Sequence, residues 1–295
     1  MNICCICDDN YVLPLRVMLD SMSRHNDDVV LWLVYSDIQE SNIGLIAGDA
    51  SRYGWEFRPT KLDGRILELC ESLPKIGRFS KEVYYRMFIP WVLADCDRVL
   101  YLDCDMLVRG SLADLYSVDM AGSAIAAVPD SSVDVEGENM KRLGLSGRYH
   151  NSGVLLFDCA LIRASLSEEE MSLRIAETAK RSNLVFPDQD LINLIFQGKI
   201  FELGKVWNSP ASLTSVLDML AHRSKFGQVK VFHFYSDAKP WHADYIGWLV
   251  FKYWKHLKKF MTKAERRDYW RRKAFVRSQL LRLSNKVKRN PHDNG

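Results

Sequence analysis

The chain alternates between short apolar runs and stretches whose apolar residues recur with helical spacing. The apolar runs predict strands at residues 2–7, 29–35, 55–60, 98–102, 124–128, 153–157 and 229–234. Helical spacing predicts helices at residues 13–24, 36–49, 81–93, 167–181 and 188–196, with Ser36 or Asp37 capping the second. Strands that alternate with helices indicate an α/β protein with a mostly parallel sheet, in which ligands bind at the carboxyl ends of the strands.

Composition narrows the class of protein. The chain has 295 residues, of which 47% are hydrophobic and 26% charged, which is typical of a globular chain and excludes a collagen or a disulfide-stapled miniprotein. No run approaches the roughly 18 apolar residues that cross a bilayer, and the N-terminus lacks the pattern of a signal peptide. The seven cysteines are typical of small buried hydrophobic residues in a reducing compartment, so we expect a cytoplasmic protein.

Charge divides the chain into an acidic body and a basic tail. Residues 251–295 contain 15 Lys/Arg against three acidic residues, a net charge of +12, whereas residues 1–250 carry 25 against 34, a net charge of −9. We therefore expect a catalytic body over residues 1–250 and a helical tail over residues 251–295. Aromatic residues among the cations predict attachment to an anionic membrane surface, with a solvated helical end as the alternative. Nucleic acid is not an expected partner, because the acidic body would repel it.

Two aspartates follow the strand predicted at residues 98–102. Asp103 and Asp105 stand two positions apart where the chain bends, so both carboxylates can aim at one point. Hard oxygen ligands suit Mg²⁺ or Mn²⁺, and these ions keep coordination sites for substrate phosphate oxygens. A pair of solvated loop aspartates is the alternative interpretation.

Three further polar segments border predicted strands and helices. His233 follows a strand, where its imidazole could complete an Asp–Asp metal site or be a hydrogen-bonded core histidine. Pro240 stiffens the turn that presents Lys239, an arrangement useful against a diphosphate. Asp188 lies at the mouth of a predicted helix, which it could simply cap. The last of the three segments is a polar triplet that leads into a strand, Asn151-Ser152-Gly153.

Together these segments resemble glycosyltransferase family 8, and in particular its bacterial lipopolysaccharide galactosyl- and glucosyltransferases. The resemblance covers about residues 1–245. The matching segments occur in the family's order, at residues 8–11 (Asp-Asp-Asn-Tyr), 84–86 (Tyr-Tyr-Arg), 101–105 (Tyr-Leu-Asp-Cys-Asp), 151–155 (Asn-Ser-Gly-Val-Leu), 187–190 (Pro-Asp-Gln-Asp) and 233–242. The resemblance implies a GT-A fold, a UDP-linked sugar as donor, Mn²⁺ or Mg²⁺ as cofactor, and retention of configuration at the anomeric carbon.

The resemblance also implies roles for individual residues. Asp103, Asp105 and His233 would ligate the metal, and Lys239 would meet the diphosphate. Asp8, Asn10 and Tyr11 would contact the uracil and ribose. The remaining donor contacts implied by the matching segments are Arg86, Cys104, Asn151, Ser152, Gly153, Asp188, Gln189 and Ser236, the last standing where relatives often have glycine.

Asp188 and Gln189 are the candidates for catalysis. A double displacement needs a carboxylate nucleophile, and the amide of Gln189 is a poor one. Asp188 or Asp190 could supply the carboxylate only if the geometry allows it. We therefore favour front-face transfer, in which the acceptor hydroxyl enters on the side of the leaving group. The expected reaction transfers glucose or galactose to a glycan or glycolipid of the cell envelope, by a peripheral protein on the inner face of the cytoplasmic membrane.

Two other functions remain open from the sequence. The segment around Asp103 and Asp105 also resembles the strand end of haloacid dehalogenase-type phosphatases and phosphomutases. That family normally places the motif on its first strand, whereas several predicted strands precede it here. The second alternative is a non-catalytic sugar-nucleotide-binding scaffold of the same fold. The presence of Asp103, Asp105, His233 and Lys239 argues against it.

Overall fold

The computed structural model describes residues 1–77, 79–130, 137–211, 227–235, 237, 239–242, 245, 247 and 249–289, with the backbone alone at 181, 277 and 279–289. It divides into two compact units. The first unit comprises Met1–Ser209 and Gln228–His233, and the second comprises Pro210–Gly227 and Phe234–Gly295. A domain boundary at residue 250 stays a prediction.

The seven predicted strands are present, each within three residues of its predicted ends, and the structure contains three further short strands that were not predicted. The strands are β1 Asn2–Ile6, β2 Val30–Tyr35, β3 Glu56–Lys61, β4 Arg98–Leu102, β5 Met106–Val108, β6 Ile125–Pro129, β7 His150–Asp158, β8 Ile200–Glu202, β9 Ser209–Pro210 and β10 Val231–His233, of which β5, β8 and β9 are the three not predicted. The first unit contains the helices α1 Val12–Met22, α2 Glu40–Arg52, α3 Gly64–Ser72, α4 Ile89–Val92, α5 Ala113–Tyr116, α6 Glu138–Leu143, α7 Cys159–Ser165, α8 Glu168–Arg181 and α9 Pro187–Ile195. Short 3₁₀ helices span Asp9–Tyr11, Lys81–Phe88 and Lys205–Trp207.

Seven strands form one sheet in the order β3-β2-β1-β4-β7-β6-β8. The pairs β3–β2, β2–β1, β1–β4 and β6–β8 are parallel, whereas β7 runs antiparallel to both β4 and β6. The prediction of a mostly parallel sheet is therefore confirmed. Outside this sheet, β5 pairs antiparallel with β10, and Met106 lies opposite His233.

The central strands are apolar on both faces because each face of the sheet is covered. Cys4, Tyr101 and Leu155 point into one buried core, and their neighbours along the same strands point into the other. The second core includes residues of α1. A strand with one face in solvent alternates between apolar and polar residues. The continuous apolar runs of these strands are explained by the burial of both faces.

Two predicted helices differ from the structure, one in where it begins and the other in its helix type. The helix predicted from residue 36 begins at Glu40, and its N-cap Gln39 makes no side-chain cap hydrogen bond. The backbone N–H of Gln39 instead donates to the carboxylate of Asp9, at 3.0 Å, so neither Ser36 nor Asp37 caps it. The helix predicted over residues 81–93 is a 3₁₀ helix to Phe88 followed by the single α-turn α4.

The second unit contains the predicted helical tail. Its helices are α10 Val250–Leu257 and α11 Lys263–Arg289, joined by a 3₁₀ helix at Lys258–Phe260. Trp254 of α10 stacks on Tyr269 of α11, with ring centroids 4.9 Å apart, so the two helices pack through their aromatic residues. Within the described chain, no helix has the length and apolar character that crossing a membrane requires.

Candidate active site

The two aspartates after β4 lie where the strand leaves the sheet. The backbone N–H of Asp103 still donates to the carbonyl of Gly153 in β7, at 2.9 Å, so the first aspartate is fixed to the sheet edge. Asp105 is buried, with 7% of its surface exposed. Its burial rules out the alternative of two solvated loop aspartates. Cys104 between them points elsewhere, and its thiol donates to the carbonyl of Ile6 at 3.1 Å.

Strand β10 brings His233 to these carboxylates. Since Met106 is the pairing partner of His233, the histidine lies beside Asp105. Its Nε2 is 3.1 Å from Oδ1 of Asp105 and 3.5 Å from Oδ2 of Asp103. One ligand atom from each of the three residues lies within 4.8 Å of the others. Two carboxylate oxygens and one imidazole nitrogen fit a Mn²⁺ or Mg²⁺ ion that keeps coordination sites for a substrate.

Arg86 connects the aspartate pair with the helix α9. Its guanidinium is 3.1 Å from Asp103 and 2.9 Å from Asp188, and it lies over the ring of Tyr101. It also donates to the carbonyl and hydroxyl of Ser152, at 3.0 and 3.2 Å. Burial disfavours the charged form of Arg86, but the two carboxylates outweigh burial and raise its pKa. The guanidinium is therefore a fixed cation at the site.

Asp188 does not cap its helix. Helix α9 begins at Pro187 and has no side-chain cap. Asp188 is instead buried against Arg86, and burial is the main cause that raises its pKa. The capping interpretation of Asp188 is therefore wrong, and the side chain belongs to the charged cluster of the site.

The neighbouring Gln189 is held in one orientation by two hydrogen bonds. Its Oε1 accepts from the backbone N–H of Ser152 at 3.1 Å, and its Nε2 donates to Asp130 at 3.4 Å. Asp130 also accepts from the side-chain amide of Asn151, at 2.8 Å. The predicted segments around residues 151 and 188 are thus joined by an acidic residue that sequence reasoning missed.

Asp190 fixes the start of α9 by hydrogen bonds to the main chain that precedes the helix. It is fully buried, and its carboxylate accepts from the backbone N–H groups of Val185 and Phe186 at 2.7 and 3.1 Å. It also accepts from the guanidinium of Arg142 at 2.9 and 3.0 Å and from the hydroxyl of Tyr149 at 2.5 Å. With five hydrogen bonds on two oxygens, Asp190 is a structural anchor rather than a free carboxylate.

The residues predicted to contact the nucleoside lie after β1. The carboxylate of Asp8 accepts from the backbone N–H of Tyr11 at 3.0 Å and from the side-chain amide of Asn10 at 3.1 Å. Burial, together with the charges of Asp105 and Asp103, raises the pKa of the Tyr11 phenol.

The remaining predicted residues are at the start of the second unit. The ammonium of Lys239 donates to the carbonyl of Phe234 at 2.5 Å and lies 5.8 Å from the ring centroid of Trp241. Ser236 is outside the described residues. The roles predicted for Lys239, Ser236 and Cys104 in donor binding stay predictions.

Comparison with known proteins identifies the family. Residues 2–245 match the family model described as Glycosyl transferase family 8. The chain belongs to this family. The match covers the segments on which the predicted resemblance depends, so that prediction is confirmed. A haloacid dehalogenase-type phosphatase is excluded by the same finding.

Curated relatives show how much of the chain is shared. General stress protein A of Bacillus subtilis is 27% identical over 258 residues, covering 83% of this chain and 88% of that protein. Glycosyltransferase GlyF of Streptococcus pneumoniae is 29% identical over 277 residues, covering 92% of this chain but 63% of its own length. Lipopolysaccharide 1,2-glucosyltransferase of Escherichia coli is 28% identical over 197 residues, and the alignment covers 63% of this chain and 56% of that protein.

A solved structure confirms the fold. The crystal structure of galactosyltransferase LgtC in complex with donor and acceptor sugar analogs matches with a TM-score of 0.76 at 25% identity. The match covers 91% of this chain and all of the other. The predicted GT-A architecture, a mostly parallel sheet flanked by helices, is therefore confirmed, and the family 8 chain is a glycosyltransferase.

Proposed function

We propose that this family 8 glycosyltransferase moves a hexose, glucose or galactose, from a UDP-sugar to a saccharide or glycolipid acceptor of the cell envelope, with retention of configuration. The observation that carries the proposal is the cluster of Asp103, Asp105 and His233, with Arg86 beside it. The relatives named for lipopolysaccharide glucosyl transfer and for galactosyl transfer support the choice of hexose and of acceptor.

The charge of the site suits a diphosphate leaving group. Asp103, Asp105 and His233 would hold a divalent cation, which would stabilise as a Lewis acid the negative charge that develops on the diphosphate. Arg86 is held between Asp103 and Asp188, so its guanidinium would present a fixed positive charge to the donor without reorienting during the reaction. Lys239 is proposed as a second cation for the diphosphate.

The hydrogen bonds of α9 support front-face transfer over double displacement. Both oxygens of Asp190 are occupied, and Asp188 is paired with the guanidinium of Arg86. The Oε1 of Gln189 already accepts a backbone N–H, and an amide is a poor nucleophile. We propose that Gln189 orients the donor sugar, and that the departing phosphate takes the proton of the acceptor hydroxyl.

Donor hydrolysis in the absence of acceptor tests the proposed reaction. With Mn²⁺ present, we expect one UDP-hexose of a panel of nucleotide sugars to be hydrolysed well above the others. Chelation should abolish the hydrolysis, and Mn²⁺ should restore it better than Ca²⁺. Metal-dependent binding of UDP without hydrolysis or transfer would instead indicate a sugar-nucleotide-binding scaffold.

Replacement of Gln189 distinguishes orientation from covalent catalysis. We expect Gln189→Ala to lower kcat by about 10- to 100-fold, the cost of a misplaced substrate, while leaving measurable turnover. Intact-mass measurement with donor alone should show no glycosyl adduct. A stable adduct at residue 189, or complete loss of turnover in a folded variant, would contradict the front-face mechanism.

The basic tail is proposed to hold the enzyme on the anionic inner face of the cytoplasmic membrane. Trp254 and Trp270 contact each other and lie only partly exposed, whereas Phe251 and Phe275 are 67% and 63% exposed. The two phenylalanines are therefore the aromatic side chains most available to an interface. Each Lys or Arg near an anionic surface adds roughly 1 kcal/mol, an attraction that salt screens.

Shortening the tail tests the membrane proposal without removing the described side-chain contacts. A chain that ends at Ser278 lacks four cations, Arg282, Lys286, Lys288 and Arg289. We expect at least about tenfold weaker binding to anionic vesicles, because several contributions of about 1 kcal/mol are lost, and unchanged donor hydrolysis. Phe251→Ser should weaken the part of the binding that resists high salt. Equal binding of full-length and shortened chains, or equal binding to neutral and anionic vesicles, would leave the tail a solvated helix.

A further inference from the structure

Asn208 lies beside His233, one of the proposed metal ligands, and belongs to none of the six segments that resemble the family. It follows the 3₁₀ helix Lys205–Trp207 in the first unit and is 95% buried, with 5% of its surface exposed. Its Oδ1 is 3.0 Å from Nδ1 of His233, and its Nδ2 is 2.7 Å from Oδ1 of Asn151. A buried side-chain amide that bridges two site residues is held in place by both.

The polarity of this bridge is fixed by the main chain. The backbone N–H of Gly153 donates to the side chain of Asn151 at 2.9 Å, and a backbone N–H can only donate, so the atom it meets is Oδ1. The other side chain that approaches this oxygen, Asn208, must therefore present its NH₂ group to it. Its carbonyl oxygen is then the end that faces His233.

The orientation of the Asn208 amide determines which nitrogen of His233 carries a proton. An amide oxygen has no proton to donate, so Nδ1 of His233 must carry the proton of that hydrogen bond. In the neutral ring the other nitrogen, Nε2, then has its lone pair available. Nε2 is the atom that faces Asp103 and Asp105.

We propose that Asn208 is a positioning residue for the metal site, which holds His233 as the Nδ1–H tautomer and aims its Nε2 at the cation. The proposal rests on the proposed function, because it concerns the same Asp103–Asp105–His233 cluster. It adds a chain of hydrogen bonds that runs from the main chain of β7 through Asn151 and Asn208 to the ligand. Outer partners of this kind orient a ligating histidine and typically change metal affinity by about 10- to 100-fold when removed.

Mn²⁺ affinity in the presence of UDP, measured by electron paramagnetic resonance, tests the proposal without turnover. Asn208→Leu removes both hydrogen bonds at similar volume, and we expect about 10- to 100-fold weaker Mn²⁺ binding. Asn208→Asp keeps an oxygen toward Nδ1 of His233, so its Mn²⁺ affinity should lie between those of the leucine variant and the wild type. Equal losses in both variants, or no loss in either, would overturn the positioning role.

Asn26→Leu is the matched control for buried amide loss. Asn26 is 3% exposed in the same unit, and its side chain makes two hydrogen bonds to the main chain, with Met22 and Leu112. We expect this variant to lose stability and to keep wild-type Mn²⁺ affinity. An equal fall in affinity would attribute the effect to destabilisation and would contradict the proposal.

Nitrogen NMR of the wild-type protein with UDP and diamagnetic Mg²⁺ tests the tautomer directly. We expect the resonance assigned to His233, by comparison with His233→Gln, to show a proton on Nδ1 and none on Nε2. A proton on Nε2 would overturn the inference. If the wild-type protein binds neither Mn²⁺ nor Mg²⁺ with UDP, the proposed function itself fails, which is a different outcome from metal binding that is indifferent to Asn208.

Discussion

Asp105→Asn is expected to lower kcat/KM for sugar transfer by roughly 1,000-fold or more while the protein stays folded. The substitution keeps the shape of the side chain and removes the charge that lies 3.1 Å from His233. Without that carboxylate, the two remaining groups would hold the proposed divalent cation poorly, and the charge that develops on the proposed diphosphate leaving group would lose several kcal/mol of stabilisation. Steady-state kinetics with Mn²⁺, together with circular dichroism, measures both effects.

Asp97→Asn is the matched control, since Asp97 immediately precedes the same strand at its opposite end. Its side chain is 88% exposed and pairs with Arg163 at 3.4 Å. An exposed pair of this kind contributes little, so we expect unchanged transfer and a change in stability below about 1 kcal/mol. If Asp105→Asn retained more than a tenth of the wild-type rate, the assignment of Asp105 as a metal ligand would be wrong.

The central strands could be predicted because both of their faces are buried, which requires an apolar residue at every position. The run at residues 98–102 coincides with β4, and residues 2–7 and 29–35 each extend one residue beyond the strand. A strand between two covered faces must be apolar throughout, which leaves an uninterrupted signal in the sequence. The three-residue strands β5 and β8 are too short to show a period and were missed, whereas β10, of the same length, lies within the longer apolar run predicted at residues 229–234.

Helix starts were harder to predict because the residues that supply the hydrogen-bond acceptors do not stand immediately before the helix. Asp9 accepts the N–H of Gln39 at the start of α2, although 30 residues separate them. Asp190 accepts the N–H groups that precede α9 from inside the helix. A local capping rule looks for an acceptor immediately before the helix, and both helices violate that assumption.

Only some residues of the candidate site could be identified from the sequence. Asp103 and Asp105 could be singled out from the residues alone, because both follow one buried strand. Asp130 and Asn208 stand alone in their segments, and no spacing marks them. Their importance arises from the fold, which brings Asp130 to Gln189 and Asn208 to His233.

Gly153 occupies a position in β7 where a side chain has no room. A Cβ atom there would lie 2.3 Å from Cε1 of His233 and 2.8 Å from Oδ2 of Asp103, closer than real Cβ contacts. The backbone cannot easily retreat, because the N–H of Gly153 donates to Asn151 and its carbonyl accepts from Asp103. A side chain at this position must therefore displace one or both of the proposed metal ligands.

Gly153→Ala is accordingly expected to lower both Mn²⁺ affinity with UDP and kcat/KM by about 100-fold or more, the scale of losing a preorganised electrostatic contact. Mn²⁺ titration and steady-state kinetics measure the two losses. Gly48→Ala is the control, because Gly48 is exposed in α2 and a Cβ atom there meets nothing within 4 Å. That variant should gain about 0.5–1 kcal/mol of stability from helix propensity and transfer sugar at the wild-type rate. Wild-type Mn²⁺ affinity in a folded Gly153→Ala protein would show that the ligands tolerate the added methyl group and do not form the site as described.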